Sequence, residues 1–531
     1  MPPPLIRALR CFYVNNVHTM KLKGRRFPSI TSQSGIRQGC PLLPHLFAIV
    51  VDLFLRRLDT LFPHECTRAF ADDIAMVLHN FDSSADLLMS EFRKFGAISG
   101  LHLGMSKTIL IPLWTFDERS FKGFLRDTFP AWSTAQVKTC GKYLGFMLGP
   151  GKRDSSWTDV LEKFGSRSVV WSGPPVGLFR ATPIYKTFVF SVLAFVCQLE
   201  EPPEAAILLE SNCMRKFAPG PGNWISALDL FHLQDLFGLP VSFPSIRTYA
   251  LASKLRVARF EIGDIHAKSR ELTALLSNTV VKPVPHDWYE RSCIRLLAAA
   301  VSQAEALRVT HASITQALKA KTSLSGAKLS AFIRIHYQKE AYKQLLSKGC
   351  DGLDVERRHR HRQSRWALQA YPGMAARWAA SLFRRLASLV RPRVISSIAR
   401  THWNAWCTSR RFQQEGTCRF LCSSSACDSI EHYMFCPVFV SLATEILHLP
   451  KFDSMQDFLL LNHRLWDDGR LAVSAIAVHA LYTAFNQARQ GPFACPSDTV
   501  DFMERCCRHQ VNGHQKSKAF LAAALQNGFR R

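Results

Sequence analysis

Two adjacent aspartates, Asp72 and Asp73, are the residues of this sequence best suited by type and spacing to metal-dependent catalysis. Residues 67–78 read TRAFADDIAMVL, so two short apolar segments flank the pair. Since aspartate tolerates turn geometry and the flanks suit β-strands, the run predicts a β-hairpin with both carboxylates at its tip. Paired carboxylates are oxygen ligands for Mg²⁺, which can activate a 3′-hydroxyl and stabilise a leaving pyrophosphate. The alternative is an ordinary acidic turn.

A glycine-containing loop that can approach a nucleotide precedes this pair. Residues 34–47 read SGIRQGCPLLPHLF, and Gly35 and Gly39 give the backbone freedom to come close to a base or sugar. Between them, Arg37 and Gln38 offer hydrogen-bond donors to phosphate or base. The prolines and the apolar spacing that follow predict a buried helix. The alternative is a Gly-Pro turn that only starts a core helix.

Two further motifs follow downstream, FGAISGLHL at residues 95–103 and KYLGF at residues 142–146. In this order and spacing, the motifs between residues 30 and 150 resemble the later palm motifs of the reverse transcriptases of non-LTR (LINE-type) retrotransposons. The resemblance continues more loosely through residues 180–199, which look like the start of the family's thumb. It implies an RNA-directed DNA polymerase, a nucleotidyltransferase that binds RNA and DNA, uses deoxynucleotides and needs Mg²⁺.

The resemblance also implies roles for individual residues. Asp72 and Asp73 would be catalytic and hold Mg²⁺, Lys107 would lie near the triphosphate, and residues 143–145 would form the primer grip. Gly104 stands where the family usually has Asn, which leaves the geometry before Lys107 open. The alternative for Lys107 is an ordinary exposed lysine, and the alternative for residues 143–145 is a plain strand with a bulge. The residues expected to bind substrate or template are Gly35, Arg37, Gln38, Gly39, Phe70, Lys107, Leu144 and Gly145.

A third carboxylate, which such polymerases carry on a strand before the Gly-Gln loop, is missing from the sequence. No Asp or Glu occurs before Asp52, and Asp52 falls within the helix predicted after that loop. Two carboxylates on one turn leave a two-metal site under-coordinated. We therefore expect an N-terminally truncated copy, without the fingers, that binds nucleic acid and does not synthesise DNA by itself. The alternative function is a non-catalytic remnant that binds nucleic acid through its basic and Cys/His segments.

A second group of metal-ligating residues lies towards the C-terminus. Cys418 and Cys422 form a Cys-x₃-Cys pair, and His432 and Cys436 form a His-x₃-Cys pair. Three thiolates and an imidazole can complete a tetrahedral Zn²⁺ shell, and four protein ligands leave no open position, which favours a structural or nucleic-acid-binding role. Cys427 can replace either of the first two ligands. More distant candidates are Cys407, Cys506 and Cys507.

Reduced core cysteines with one buried histidine are the alternative to a zinc site. The resemblance favours the metal site, because a Cys/His zinc-binding segment often follows the thumb in non-LTR elements.

Positive charge dominates the chain, which has a formal net charge of +26 and a pI near 9.7. Between residues 357 and 411 there are thirteen Arg and no Lys, Asp or Glu. Arginine binds phosphate and stacks on bases, and thirteen unpaired cations would repel one another, so this segment predicts contact with nucleic acid. The alternative is a solvated helical face. The interleaved tryptophans, which either stack on bases or belong to the core, are Trp366, Trp378, Trp403 and Trp406.

Composition sets the broad class. A chain of 531 residues exceeds one ordinary domain, and its hydrophobic fraction of 47% argues against wholesale disorder. No apolar stretch reaches the length of about 18–20 residues that spans a bilayer. No secretory signal is evident, so we expect the 16 cysteines to stay reduced or bind metal, in the nucleus or the cytoplasm.

The expected fold is α+β. A partial polymerase palm, an antiparallel sheet with helices, is followed by a mostly α-helical thumb and a C-terminal region with a small zinc-binding segment. The expected domains are residues 1–150 (partial palm), 151–345 (helical thumb or connection), 346–411 (Arg/Trp-rich basic region), 412–440 (Cys/His zinc segment) and 441–531 (helical C-terminal tail).

Overall fold

The computed structural model divides the chain into two compact units. The first consists mainly of Met1–Lys152, and the second of Arg153–Val281 together with His286–Arg531. The boundary between them lies at Lys152 and Arg153. The residues that the structure describes are 3–13, 16–32, 41–174, 176–222, 224–234, 238–278, 291–349, 361, 363–366, 368, 372–511 and 515–527.

The first unit combines helices with short strands, in agreement with the expected α+β class. Its described strands form four separate two-stranded sheets, of which three are antiparallel and one, β5–β6, is parallel. The helices are α1 (Pro3–Tyr13), α2 (Leu43–Leu61), α3 (Phe81–Ser99) and α4 (Glu118–Thr128). The strands are β1 (Asn16–Leu22), β2 (Arg25–Ser32), β3 (Cys66–Phe70), β4 (Asp73–Val77), β5 (Ile109–Leu110), β6 (Gln136–Val137), β7 (Gly141–Tyr143) and β8 (Phe146–Leu148).

Helices α2 and α3 form the centre of the first unit's core. Helix α2 begins with a proline in its first turn, as predicted, and buries Phe54 and Leu58, which are four residues apart on one face. The ring of Phe54 stacks on Phe95 of α3 with a centroid distance of 4.3 Å. Helix α3 is capped at its start, where the side chain of Asn80 accepts bonds from two backbone N–H groups. These helices provide the surface on which the β3–β4 hairpin packs.

The regular elements described in the second unit are all helices, apart from one isolated bridge between Thr417 and Cys427. Its longest described helix, α20 (Asp468–Gln490), includes the run that the sequence predicts to be helical and is buried on nearly all sides between Leu471 and Leu481. A helix that is apolar all round belongs at the centre of a core. The other helices are α5 (Ser155–Ser172), α6 (Leu178–Ile184), α7 (Ser191–Ala194), α8 (Glu204–Phe217), α9 (Ala227–Phe231), α10 (Ile246–Val257), α11 (Ile265–Asn278), α12 (Cys293–Ala306), α13 (His311–Lys319), α14 (Gly326–Ser347), α15 (Pro372–Ala387), α16 (Pro392–His402), α17 (Ile430–Phe435), α18 (Pro437–Ser441), α19 (Met455–Phe458), α21 (Pro496–Val511) and α22 (Gln515–Asn527).

One apolar core joins distant parts of the second unit. It extends in sequence from Trp157 to Ala524 and includes residues of the Arg/Trp-rich segment, of the Cys/His segment and of α20. Helices α16, α21 and α22 pack against α20. The Cys/His segment is therefore part of a larger packed body. Among the described helices, none combines the length and apolarity that crossing a bilayer requires.

The core of the first unit predicts a large difference between two leucines of α2. Leu58 is 0% exposed and Leu53 is 67% exposed. We expect Leu58→Ala to reduce the stability of the first unit by about 2–5 kcal/mol, because it leaves a cavity against α3. Leu53→Ala is the matched control and should change stability by less than about 0.5 kcal/mol. Hydrogen exchange of α3 peptides in the full chain measures the stability change in each variant. Equal protection in the two variants would contradict the placement of Leu58 in this core.

Candidate functional site

The predicted hairpin at the paired aspartates is confirmed. Strands β3 and β4 are antiparallel, and Phe70 pairs with Asp73, so only Ala71 and Asp72 form the loop. Ala71 has φ +53°, in the left-handed region. This conformation costs an L-residue about 1–2 kcal/mol. The turn places Asp72 and Asp73 at the tip of the hairpin, where both residues are exposed.

The two faces of the hairpin have different environments. Directly opposed residues of an antiparallel pair lie on the same face, and successive residues alternate between faces. Ile74 and Met76 lie on one face and pack against the core of the first unit. The other face carries Arg68, Phe70 and Asp73, all exposed, with Phe70 at 66%. The buried face thus fixes the hairpin, while the carboxylates and an aromatic ring remain open to a ligand.

Residues 144–145 form a second tight turn. Tyr143 pairs with Phe146, and Leu144 and Gly145 have φ values of +48° and +87°. Positive φ at both central residues is typical of the two-residue hairpin turn. The alternative of a plain strand with a bulge is therefore wrong, and Gly145 is needed for the turn itself.

The remaining predicted substrate residues divide between described and undescribed parts of the chain. Lys107 is exposed and ends a 3₁₀ turn, Met105–Lys107, in which its backbone N–H donates to the Gly104 carbonyl at 2.9 Å. The four residues of the Gly-Gln loop lie outside the described residues, so the predicted closeness of Gln38 to the aspartates stays a prediction. Those four residues are Gly35, Arg37, Gln38 and Gly39.

The first unit coincides with a match to a known family. Residues 2–148 match the family model described as reverse transcriptase (RNA-dependent DNA polymerase). The matched stretch includes the β3–β4 hairpin, Lys107 and the β7–β8 turn. Over this stretch the chain is similar to reverse transcriptases, in agreement with the resemblance drawn from its motifs.

The four predicted cysteine and histidine ligands converge in the second unit. One ligand atom each from Cys418, Cys422, His432 and Cys436 lies within 4.8 Å of the others. Cys418 Sγ is 3.9 Å from Cys436 Sγ, and Cys422 Sγ is 3.2 Å from His432 Nε2. A tetrahedral zinc shell with bonds of about 2.0–2.3 Å has edges of about 3.3–3.8 Å. The donor set and its spacing thus fit a metal ion.

Local backbone structure brings these ligands together. The Cys418 N–H donates to the Ala426 carbonyl at 2.7 Å, and Thr417 forms an antiparallel bridge with Cys427. Cys427 is exposed and is not part of the cluster, whereas Cys418 and Cys436 are buried. On the other side, the Ser429 hydroxyl accepts a bond from the His432 N–H and caps α17. The three more distant cysteines considered as ligands also lie outside the cluster.

The close approach of the sulfur atoms favours a thiolate. A hydrogen bond from the Cys436 thiol to Cys418 lowers the pKa of Cys418 to about 5. The same bond, followed by burial, raises the pKa of Cys436. Thiolate sulfur is the form that binds metal, so a lowered pKa at Cys418 favours its use as a ligand.

The arginine-rich segment is partly neutralised by acidic residues from outside it. Glu431 lies 2.9 Å from Arg365 and 3.7 Å from Arg410. Arg385 forms an ion pair with Asp468 at 2.7 Å. The prediction that all thirteen cations are unpaired is therefore wrong, because the sequence count considered only acids within the segment.

The tryptophans of this segment belong mainly to the core. Trp366, Trp403 and Trp406 are buried, with at most 4% exposure, and contribute to the main core of the second unit. Base stacking by these three side chains is excluded by their burial. Trp378 is half-buried, and the guanidinium of Arg464 lies 5.9 Å from its ring centroid.

The ligand geometry predicts the metal content of the purified chain. We expect one equivalent of Zn²⁺ per chain when the protein is produced with zinc, because three sulfurs and one nitrogen converge. Cys436→Ser should lower that content, since it removes a buried ligand, and Cys427→Ser should leave it unchanged. Metal analysis by mass spectrometry measures all three. Equal losses in both variants, or no zinc in the unmodified chain, would contradict the site.

Proposed function

We propose that the first unit is part of the palm of an RNA-directed DNA polymerase of the non-LTR retrotransposon type. The observation that carries this proposal is the two-residue turn of the β3–β4 hairpin, with Asp72 and Asp73 exposed at its tip. A rigid pair of carboxylates is the arrangement that nucleotidyl transfer needs from its protein ligands. The match of residues 2–148 to reverse transcriptases supports the assignment.

In this proposal, Asp72 and Asp73 hold Mg²⁺ through their carboxylate oxygens. When bound, Mg²⁺ supplies charge stabilisation for the attacking hydroxyl and the leaving pyrophosphate. The exposed ring of Phe70 and the ammonium of Lys107 are available to a nucleotide. The β7–β8 turn, with Leu144 exposed at its tip, is the proposed primer contact.

The Gly-Gln loop is the proposed contact with template and incoming nucleotide. The sequence motif supports this role. The peptide groups of Gly35 and Gly39 would approach a base or sugar closely, while Arg37 and Gln38 would donate hydrogen bonds.

We propose that the second unit holds nucleic acid and carries a structural Zn²⁺. Residues 151–345 would form the thumb or connection, and residues 346–411 would contribute basic surface. Arg377 and Arg393 are exposed arginines of that segment. The net charge of +26 supports a polyanionic partner. Cys418, Cys422, His432 and Cys436 would close the zinc shell.

The 531-residue sequence supplies two carboxylates to the proposed Mg²⁺ site. Asp52, the first acidic residue of the chain, lies in the middle of α2 and pairs with Arg56 at 2.8 Å. It is therefore on an exposed helical face and is engaged elsewhere. We propose that this chain by itself binds a primed template without extending it, because a two-metal site requires a further carboxylate.

Binding and synthesis are separable in one set of assays. We expect affinity for a primed RNA template to fall steeply with salt, since neutralised phosphates release counterions. With Mg²⁺ and deoxynucleotides, we expect no primer extension, and Asp72→Asn should change affinity little because phosphate contacts lie mainly elsewhere. Fluorescence anisotropy and gel analysis of a labelled primer measure these outcomes.

Two results would contradict this proposal. The first is primer extension by the unmodified chain that is abolished by Asp72→Asn and left intact by Asp82→Asn. It would show that two carboxylates suffice for synthesis. Affinity that does not change with salt would contradict contact with phosphates.

A further inference from the structure

A buried carboxylate, Asp428, lies between the two segments that carry the metal ligands. It is 0% exposed and accepts hydrogen bonds from three residues. Its Oδ2 accepts from the Ser409 N–H and hydroxyl, each at 2.9 Å, and from Arg419 Nε at 3.2 Å. Its Oδ1 accepts from the Tyr433 hydroxyl at 2.8 Å. A buried charge with this set of donors is well compensated.

The donors to Asp428 are adjacent in sequence to the ligands. Arg419 directly follows Cys418, and Tyr433 directly follows His432. The backbone N–H of Arg419 also donates to the Tyr433 hydroxyl at 3.3 Å. One carboxylate thus connects the segment of the Cys-x₃-Cys pair to the helix of the His-x₃-Cys pair.

Backbone bonds fix the position of Asp428 itself. Its N–H donates to the Gly416 carbonyl at 2.9 Å, and its carbonyl accepts from the Arg410 N–H at 3.3 Å. The carboxylate therefore has little freedom to move, and groups bonded to it are held in place. Groups that orient metal ligands from outside the coordination shell typically contribute about 10–100-fold to metal affinity.

We infer that Asp428 is a positioning residue for the Cys/His cluster. Its hydrogen bonds hold the two ligand pairs at the separation that a metal ion requires. The inference rests on the metal site proposed above. It assigns to Asp428 no contact with the ion. Loss of its charge would leave Arg419 without a buried anionic partner and would release the Tyr433 hydroxyl, so the two ligand segments could separate.

Asp229 offers a matched control for this inference. It is also buried, and its Oδ2 also accepts from a serine N–H and hydroxyl, those of Ser226, at 3.1 and 2.7 Å. Its hydrogen bonds cap α9 and do not involve residues next to the cluster. A general loss of stability from replacing a buried aspartate therefore appears in both Asp428→Asn and Asp229→Asn. A loss of ligand positioning appears only in Asp428→Asn.

The test compares Zn²⁺ affinity, by chelator competition on the full chain, with the midpoint of thermal unfolding. We expect Asp428→Asn to weaken Zn²⁺ binding about 10–100-fold and Asp229→Asn to leave it within about twofold, even where both lower the midpoint. Tyr433→Phe removes one hydroxyl and should weaken binding about tenfold, which keeps the test available if Asp428→Asn does not fold. The Co²⁺-loaded variants should also show altered visible absorption, which reports ligand geometry.

Unchanged Zn²⁺ affinity in folded Asp428→Asn, or in Tyr433→Phe, would overturn the positioning role while the metal site stands. Equal weakening in Asp229→Asn would overturn it as well, because the effect would then be one of general stability. Failure of the unmodified chain to bind Zn²⁺ or Co²⁺ would reject the proposed metal site and this inference together.

Discussion

The two-residue turn between β3 and β4 is the constraint on which the proposed metal site of the first unit depends. Because Phe70 pairs with Asp73, Ala71 must take a left-handed conformation at a cost of about 1–2 kcal/mol. Packing of the alternate residues Ile74 and Met76 against α2 and α3 offsets that cost. The turn is thus held by the core behind it, and the carboxylates are presented by backbone geometry. Strained turns of this kind recur at functional sites.

The second unit shows the same relation between a packed body and polar groups held at fixed positions. The Cys/His cluster is surrounded by core residues, with Cys436 at 0% exposure, and is braced by hydrogen bonds to Asp428. Glu431, next to His432, pairs with arginines of the basic segment. Charge in that segment is therefore divided between structural ion pairs and exposed side chains such as Arg377. Polyanion binding would rest on the exposed set.

Local signals were sufficient to predict the hairpin and to identify the two Cys/His pairs, while Cys427 remained an alternative ligand. The Asp-Asp pair between apolar runs determines the structure of one turn. Each of the two Cys/His pairs, with its three-residue gap, lies within one turn or one short helix. Non-local contacts were not predictable in the same way. Arg365 pairs with Glu431, 66 residues later in the sequence. The proposed positioning role of Asp428 depends on hydrogen-bond donors from three separate positions. Leu144 at positive φ carried no signal, since leucine rarely takes that conformation.

Localised iron cleavage tests whether Asp72 and Asp73 bind a divalent cation. Fe²⁺ replaces Mg²⁺ at carboxylate sites and, with ascorbate and peroxide, cuts the nearby backbone, so mass spectrometry can locate the site. We predict cuts within residues 66–77 that excess Mg²⁺ suppresses. Asp72→Asn with Asp73→Asn should abolish them, and Asp82→Asn with Asp86→Asn, exposed carboxylates of the same unit, should not. Absence of these cuts in the unmodified chain, or their persistence in the Asp72/Asp73 variant, would contradict the proposed cation site.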